Sequence, residues 1–364
     1  MLSCLNPWRR LGRTRATITV RHVKERDGPT ERRRPECHLW AWPVGTSDGW
    51  VIRTSAWLGH VGVFDRVDSG SERVGVLDKR RHGGGCGRMI SGKTRLLALI
   101  GHPVEHSLSP RIHNASFAAD GLDYVYVALD VEPEDLSSAV RGTAALGLRG
   151  FNVTMPHKRA MLQLLDSLDE GAQISGAVNT VVIEDSGLRG YNTDGYGMVE
   201  ACKEAGIVLA GRSVLLLGAG GAAAAIALAF GEAGAGLRIV NRSIEHAREL
   251  ANKLRGAGLK KVEVYPHGAR DEAAREADVI VNATSLGMKE GDSLPVPIEY
   301  LDEGKAVCDA VYHPGRETQL IRQARKRGAC VVTGERMLLF QGVLAQKLWT
   351  GRQPNVKAMD DAIS

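Results

Sequence analysis

The sequence has little sulfur arranged for chemistry. Its 364 residues hold six cysteines, and none forms a C-x-x-C pair or a zinc spacing. In a chain this long that excludes a disulfide scaffold and points to free thiols in a reducing cytoplasm. A secretory signal is also lacking, because no apolar run of sufficient length follows Arg9 and Arg10. Solenoid-type repeats are absent. A basic surface for nucleic acid is missing from most of the chain. Residues 1–88 carry 17 of the 47 Lys+Arg but only 9 of the 42 Asp+Glu. The net charge of +5 therefore belongs to this leader, and the remainder is acidic by three charges. Such a body has no electrostatic footprint for nucleic acid.

What is present is ordinary for a globular protein: 43% hydrophobic and 24% charged residues. The length suggests two or three domains. One run imitates a membrane span, because no charge occurs between Arg212 and Glu232. Its glycine cluster and the strand that follows argue against that reading, so no membrane partner is expected.

The first 90 or so residues differ in texture from the rest. Five of the six Trp lie there (Trp8, Trp40, Trp42, Trp50, Trp57), with the clusters Arg32-Arg33-Arg34 and Lys79-Arg80-Arg81. No sustained periodicity is visible, and the segment ends in Gly83-Gly84-Gly85-Cys86-Gly87. Residues 1–92 are read as a basic leader. It is a disordered extension, a transit-like segment, or upstream sequence admitted by a mis-chosen start codon. The last is preferred, with Met89 as the natural alternative start.

From Arg95 onward strands and helices alternate. Strands are expected at Leu96–Ile100, Tyr124–Leu129, Gly150–Val153 and Thr180–Ile183. The first helix should begin with Ser109 as N-cap and Pro110 at its first position, and stop at Gly121. Further helices are expected from about Pro133 to Leu146 and from Pro156 to Leu165. A second series starts near Asp194, with strands at Val214–Leu217, Leu237–Val240, Val262–Val264, Val279–Val281, Ala306–Cys308 and Cys330–Val332. Its helices run through Phe230, over Ser243–Leu254 and near Glu317–Lys326. A last helix, Met337–Trp349, could pack back on the first series. The alternation predicts an α/β protein of two domains: a mostly parallel sheet covered by helices, then a Rossmann dinucleotide-binding domain. The boundaries are 93–193 plus 334–364 for the substrate-binding domain and 194–333 for the NADP-binding domain.

Gly218-Ala219-Gly220-Gly221-Ala222-Ala223 follows a strand and opens a helix. This is the G-x-G-x-x-A form of the dinucleotide fingerprint. Gly218 allows the tight turn, Gly220 lets backbone approach the pyrophosphate, and Ala223 lets helix and strand pack closely. The helix N-terminus offers N–H groups and a positive dipole end to phosphates. At the end of the second strand stand Asn241-Arg242-Ser243. An NAD enzyme usually has a carboxylate there; a neutral Asn beside an Arg favours NADP.

Four further clusters are rich in polar residues at loop positions: Ser107-Leu108-Ser109-Pro110, Asn152 to Lys158, Ala177-Val178-Asn179-Thr180, and Asn192-Thr193-Asp194-Gly195. A lone Lys is usually solvated, and a lone Asp before a helix is usually a cap. Several such clusters in one α/β domain are better explained by a polar substrate. They resemble those of the shikimate dehydrogenase family. The resemblance covers nearly all of residues 95–349 and includes S-x-S-P, N-V-T-x-P-H-K, A-V-N-T, N-T-D-G, G-A-G-G-A, N-R-S, N-A-T-S-L-G-M (Asn282–Met288), D-x-x-Y-x-P (Asp309–Pro314) and G-x-x-M-L-x-x-Q (Gly334–Gln341). Residues 1–88 match nothing in it.

The resemblance implies reversible NADPH-dependent reduction of 3-dehydroshikimate to shikimate, on the route to chorismate and the aromatic amino acids, in the cytoplasm. It implies that Ser107, Ser109 and Tyr312 hold the substrate carboxylate. Asn152, Thr154, Asn179, Asp194 and Gln341 would hold ring hydroxyls. Lys158 and Asp194 would form the catalytic pair, the ammonium giving a proton to the developing alkoxide and Asp194 orienting it. Cofactor contacts would come from Gly218, Ala219, Gly220, Gly221, Ala222, Asn241, Arg242, Ser243, Thr284 and Gly334. The dinucleotide domain would be inserted into the substrate domain, with the site in a cleft that closes by a hinge. No metal ligand set is apparent. One departure stands out: some relatives carry a second Arg where this chain has His246, so the phosphate clamp is weaker and NAD use is conceivable. A quinate/shikimate dehydrogenase of broader specificity, a non-catalytic metabolite-binding protein on the same fold, and nucleic-acid binding through the leader are the alternatives. Retention of both Lys158 and Asp194 weighs against the second. Partners are otherwise the small-molecule substrate alone, with a monomer or homodimer as the assembly.

Overall fold

The computed structural model describes residues 39–43, 50–54, 62–64 and 90–363. The first three stretches are strands β1 (Leu39–Pro43), β2 (Trp50–Thr54) and β3 (Gly62–Phe64), paired antiparallel in that order. Sequence periodicity does not mark them, because three to five residues are too few for alternation to register. The rest of the leader reading lies outside the described residues.

The first large sheet begins with β4 (Arg95–Gly101), whose core residues Leu97, Ala98 and Ile100 have no exposed surface. Helix α1 (Ser109–Ala119) returns the chain to β5 (Tyr124–Asp130), and α2 (Leu136–Ala145) leads to β6 (Leu148–Val153). Both β5 and β6 pair parallel to β4, as short crossovers through helices dictate. The sheet then departs from the parallel pattern. After β7 (Ser167–Leu168) and α3 (Glu170–Ser175), strand β8 (Thr180–Glu184) pairs antiparallel to β6 and forms a hairpin with β9 (Gly187–Tyr191). The two-residue link Asp185-Ser186, with Gly187 at φ +121°, leaves room only for a tight reversal. The strand order is β5-β4-β6-β8-β9-β7.

Two local expectations need correction. Residues 156–165 form no α-helix but turns and a short 3-10 stretch at Ala160–Leu164. The Lys158 carbonyl accepts from Val178 N–H at 2.9 Å, so it is not available to a helical ladder. Nor is Ser109 an N-cap. It is the first helical residue, Leu108 occupies the cap position, and no side chain caps there. Ser107 Oγ instead accepts from Ser109 N–H at 3.3 Å, so the hydroxyl that binds backbone is Ser107.

Helix α4 (Asp194–Glu204) leads out of the first sheet. The second sheet holds β10 (Ser213–Leu217), β11 (Gly236–Val240), β12 (Val262–Tyr265), β13 (Val279–Asn282), β14 (Ala306–Asp309) and β15 (Cys330–Val332), in the order β12-β11-β10-β13-β14-β15. All five pairings are parallel. Helices α5 (Gly221–Glu232), α6 (Ile244–Gly256), α7 (Arg270–Glu276) and α8 (Gln319–Lys326) cover it, giving the doubly wound Rossmann arrangement. The uncharged run from Ser213 to Phe230 is thus one strand and most of α5, both buried in the core. Among the described residues no helix is long and apolar enough to cross a membrane.

Helix α9 (Gly334–Thr350) and the short α10 (Val356–Asp361) finish the chain. Gly351 ends α9 in the left-handed conformation, at φ +66°. Trp349 Nε1 donates to the Val181 carbonyl of β8 at 2.9 Å, and Gln346 Nε2 donates to Ser116 Oγ of α1 at 2.7 Å. The chain end is thereby fixed to the first sheet.

Candidate active site

A cavity of about 210 Å³ opens between the two sheets. Its wall includes Ser107, Ser109, Asn152, Thr154, Lys158, Asn179, Asp194, Tyr312 and Gln341. These nine residues come from six separate stretches of chain, and every expected substrate-binding residue is among them. Leu99, Val153, Ala310, Met337 and Leu338 add an apolar part. Ala222, from the first turn of α5, and Gly334, from the first turn of α9, also reach the wall. The fingerprint helix and the polar clusters thus share one cavity.

The polar floor is built from residues whose hydrogen bonds are fixed before any ligand arrives. Lys158 Nζ donates to Asp194 Oδ2 at 2.7 Å, and Asn179 Nδ2 donates to Asp194 Oδ1 at 2.7 Å. Asp194 stands in the first turn of α4, where the helix dipole favours its negative charge. It is buried, and Lys158 is partly so. Asn179 Oδ1 accepts from Thr193 N–H at 2.9 Å and from Thr180 Oγ1 at 3.0 Å. Gln341 Oε1 accepts from Asn179 Nδ2 at 3.3 Å, and its Nε2 donates to the Leu338 carbonyl. Thr180 and Thr193 therefore belong to the site's framework. Sequence reasoning quoted both inside A-V-N-T and N-T-D-G without giving them a role; their places beside Asn179 and Asp194 were the available signal.

Counting donors shows what remains for a ligand. One Lys158 N–H is committed to Asp194, leaving two. Gln341 keeps one free N–H by the same count. Ser109, Thr154 and Tyr312, each bearing a hydroxyl, line the cavity as well. A cluster of donors with a single cation suits a carboxylate and several hydroxyls.

The fingerprint loop fits a dinucleotide. Gly218 lies at φ +112°, and a Cβ there would stand 2.8 Å from the Ala283 carbonyl oxygen. Only glycine satisfies both conditions. A Cβ on Gly220 would meet nothing within 4 Å, which is the open approach a pyrophosphate needs. No side chain caps α5, so its leading N–H groups face that space unpaired by a cap. At the end of β11, Asn241 Nδ2 donates to the Ser243 carbonyl at 2.9 Å and holds the turn. Ser243 caps α6 by accepting from His246 N–H, and its hydroxyl donates to Glu245 Oε2 at 2.9 Å. Arg242 between them is exposed. Thr284 Oγ1 donates to Asn282 Oδ1 at 2.7 Å, at the carboxyl end of β13 where such folds bind ligands. Of the ten expected cofactor residues, Ala222 and Gly334 line the cavity; Gly218, Ala219, Gly220, Gly221, Asn241, Arg242, Ser243 and Thr284 do not.

Comparison with known proteins agrees with this geometry. Residues 99–181 match the model of the shikimate dehydrogenase substrate binding domain. Residues 200–288 match that of shikimate / quinate 5-dehydrogenase, and residues 334–363 match the shikimate 5'-dehydrogenase C-terminal domain. Shikimate dehydrogenase (NADP(+)) of Rubrobacter xylanophilus is 59% identical over 277 residues, covering 76% of this chain and 97% of that relative. The enzyme of the same name from Moorella thermoacetica is 49% identical over 276 residues, covering 74% and 93%. A crystal structure of shikimate dehydrogenase in complex with NADP+ superposes with a TM-score of 0.71 at 44% identity, over 77% of this chain and 98% of that one. The Thermus thermophilus shikimate 5-dehydrogenase in complex with NADP(H) and shikimate does so with a TM-score of 0.67 at 39% identity, over 74% and 98%. By these matches the chain belongs to the shikimate dehydrogenase family.

Proposed function

We propose that this chain catalyses the reversible reduction of 3-dehydroshikimate to shikimate with NADPH. The single observation that carries the reading is the Lys158–Asp194 pair, held at 2.7 Å in a cavity that the fingerprint helix also reaches. The relatives named above are NADP(+) enzymes of that name.

A dinucleotide held at the loop of residues 218–223 and at Arg242 would supply or accept the hydride. The remaining chemistry belongs to the chain. Hydride arriving at a carbonyl carbon leaves an alkoxide, and the Lys158 ammonium stabilises that oxygen and gives it a proton. In the reverse direction a neutral Lys158 amine takes the hydroxyl proton. Asp194 aims the nitrogen and balances its charge, while Asn179 keeps the second carboxylate oxygen from turning away. Ser107, Ser109 and Tyr312 would take the substrate carboxylate. Asn152, Thr154, Asn179, Asp194 and Gln341 would take the ring hydroxyls. Residues 93–193 with 334–364 then act as the substrate-binding domain, and residues 194–333 as the NADP-binding domain. All these residues come from one chain, so a monomer or a homodimer suffices. The acidic balance of the body offers nucleic acid no surface. The unbridged thiols of Cys202 and Cys308 suit a cytoplasmic location.

The test is an absorbance assay with shikimate, offering NADP and NAD in turn. Reduction of NADP supports the reading, and an inert protein sinks it. Quinate in the same assay separates the broader-specificity alternative.

A further inference from the structure

Behind the cavity wall lies a buried aromatic hydroxyl that the proposed chemistry does not use. Tyr126 is 1% exposed and does not line the cavity. Its hydroxyl nevertheless donates to Asn152 Oδ1 at 2.7 Å. The direction of this bond is fixed by the partners on the other side of the amide. Asn152 Nδ2 faces the Asn179 backbone carbonyl at 3.0 Å and Thr180 Oγ1 at 3.0 Å. A carbonyl can only accept, so the atom facing it must be nitrogen. The atom facing Tyr126 must then be oxygen, and the phenol must donate.

The consequence for recognition follows from counting. Both Asn152 N–H groups are committed within the protein, and one of the two Oδ1 lone pairs is taken by Tyr126. Asn152 can offer a ligand only the remaining lone pair, so it reads a hydroxyl as a donor.

Tyr126 is itself held from every side. Asn114 on α1 donates from Nδ2 to the Tyr126 carbonyl at 2.8 Å and accepts from Tyr126 N–H at 2.9 Å. These bonds satisfy the outer edge of β5, which is the last strand of its sheet. The ring stacks on His113, with centroids 4.4 Å apart and planes at 21°. Across the sheet, Tyr126 pairs with Leu97, and Leu99, two residues on, pairs with Asn152. Residues two apart on neighbouring strands share a face, so phenol and amide meet diagonally over β4.

We infer that Tyr126 is a positioning residue for substrate: its hydroxyl fixes the Asn152 amide as a hydroxyl-reading acceptor. The inference rests on the shikimate reading given above. Removing the phenol oxygen leaves Oδ1 half-satisfied and free to tilt, which weakens binding without touching the Lys158–Asp194 pair.

The test is Tyr126→Phe, which keeps the ring, the stack and the buried volume. KM for shikimate should rise about tenfold, the equivalent of one net hydrogen bond, with kcat within about twofold of wild type. The Kd for NADP, measured by calorimetry, should not move. Asn152→Ala should raise KM at least as much, and the double variant should be no worse than Asn152→Ala alone. A second readout needs no substrate. The Asn152 side-chain amide protons, assigned by their loss in Asn152→Ala, should shift and exchange faster in Tyr126→Phe. An active Tyr126→Phe enzyme with unchanged KM, or KM effects that multiply in the double variant, overturns the inference. If wild type proves inert toward shikimate, the functional reading falls on that result. Amide exchange then decides alone whether Tyr126 holds Asn152, and unchanged exchange overturns the inference.

Discussion

Lys158 Nζ lies 2.7 Å from Asp194 Oδ2, and the two residues are brought together from separate elements of the fold. Lys158 sits in the turn after β6, and Asp194 opens α4. The contact gives the ammonium one direction and leaves its other protons for a ligand. Lys158→Ala should lower kcat by about 10²–10⁴, the usual contribution of a positioned acid. Asp194→Asn should also lower it. The double variant should be little worse than the poorer single variant, because groups acting as a unit are not additive. NADP binding should barely change. Near-wild-type kcat in Lys158→Ala would refute the mechanism and leave the dinucleotide assignment standing.

The residue after Asp194 shows how closely the catalytic helix is seated. A Cβ on Gly195 would lie 2.0 Å from the Ala225 carbonyl oxygen and 2.4 Å from its carbon. That clash is with backbone, which cannot rotate away. Gly195→Ala should therefore displace α4 from α5, lower Tm by about 5 °C or more, and lower kcat as Asp194 moves. Gly142, inside α2, is the control. A Cβ there meets nothing within 4 Å, so Gly142→Ala should stabilise by about 0.5–1 kcal/mol and leave kcat alone. Equal behaviour of the two variants in a thermal melt would contradict this account.

These contacts mark where sequence reasoning succeeds and where it stops. The strands of the Rossmann sheet were legible because most are short apolar runs between turn residues, as in Val214–Leu217. The cavity residues were legible because polar side chains stood at loops where no pattern required them. Residues 156–165 misled, since helical composition there is overruled by a tertiary bond from Val178 to the Lys158 carbonyl. Ser109 misled in a similar way: Ser-Pro before an apolar run spells an N-cap, yet Ser107 took the backbone bond. Tyr126 and His113 could not be found at all. In sequence each is an ordinary core aromatic, and only the diagonal register over β4 brings Tyr126 to Asn152.

His113 gives the molecule a measurable response to acid. Its ring has no exposed surface, and burial lowers its pKa from 6.5 to about 4. Gln346, facing Nδ1 at 3.1 Å, only partly offsets that burial. The unfolded chain binds a proton below pH 6.5, while the folded protein resists it until about pH 4. Stability from this group is therefore complete above pH 6.5 and falls as pH drops toward 4, below which the loss levels off. The loss is of order 3 kcal/mol. Denaturant melts between pH 7 and 4 should show a shallower acid decline for His113→Gln than for wild type, whatever the variant's stability at neutral pH. Parallel declines would mean that His113 stays solvated.

We propose that cofactor choice turns on Arg242. The end of β11 carries no carboxylate at Asn241, and Asn241 spends its amide on holding the turn at Ser243. Ser243 is occupied as well, capping α6 and donating to Glu245. Glu245 is held below the usual carboxylate range by its own backbone N–H and by that hydroxyl, so it remains an anion beside the cradle. Arg242, exposed between Asn241 and Ser243, is the cation proposed to meet a 2′-phosphate. Arg242→Gln should then weaken NADP binding by about 1.5–3 kcal/mol, the range for a hydrogen bond to a charged group. NAD binding should change little, since NAD has no phosphate for Arg242 to meet. Calorimetric Kd values for both dinucleotides, with wild type and variant at one salt concentration, give the comparison. Equal losses would mean that Arg242 shapes the loop rather than reading the phosphate. No loss for either would place the 2′-phosphate elsewhere, and the preference for NADP would then need another cation.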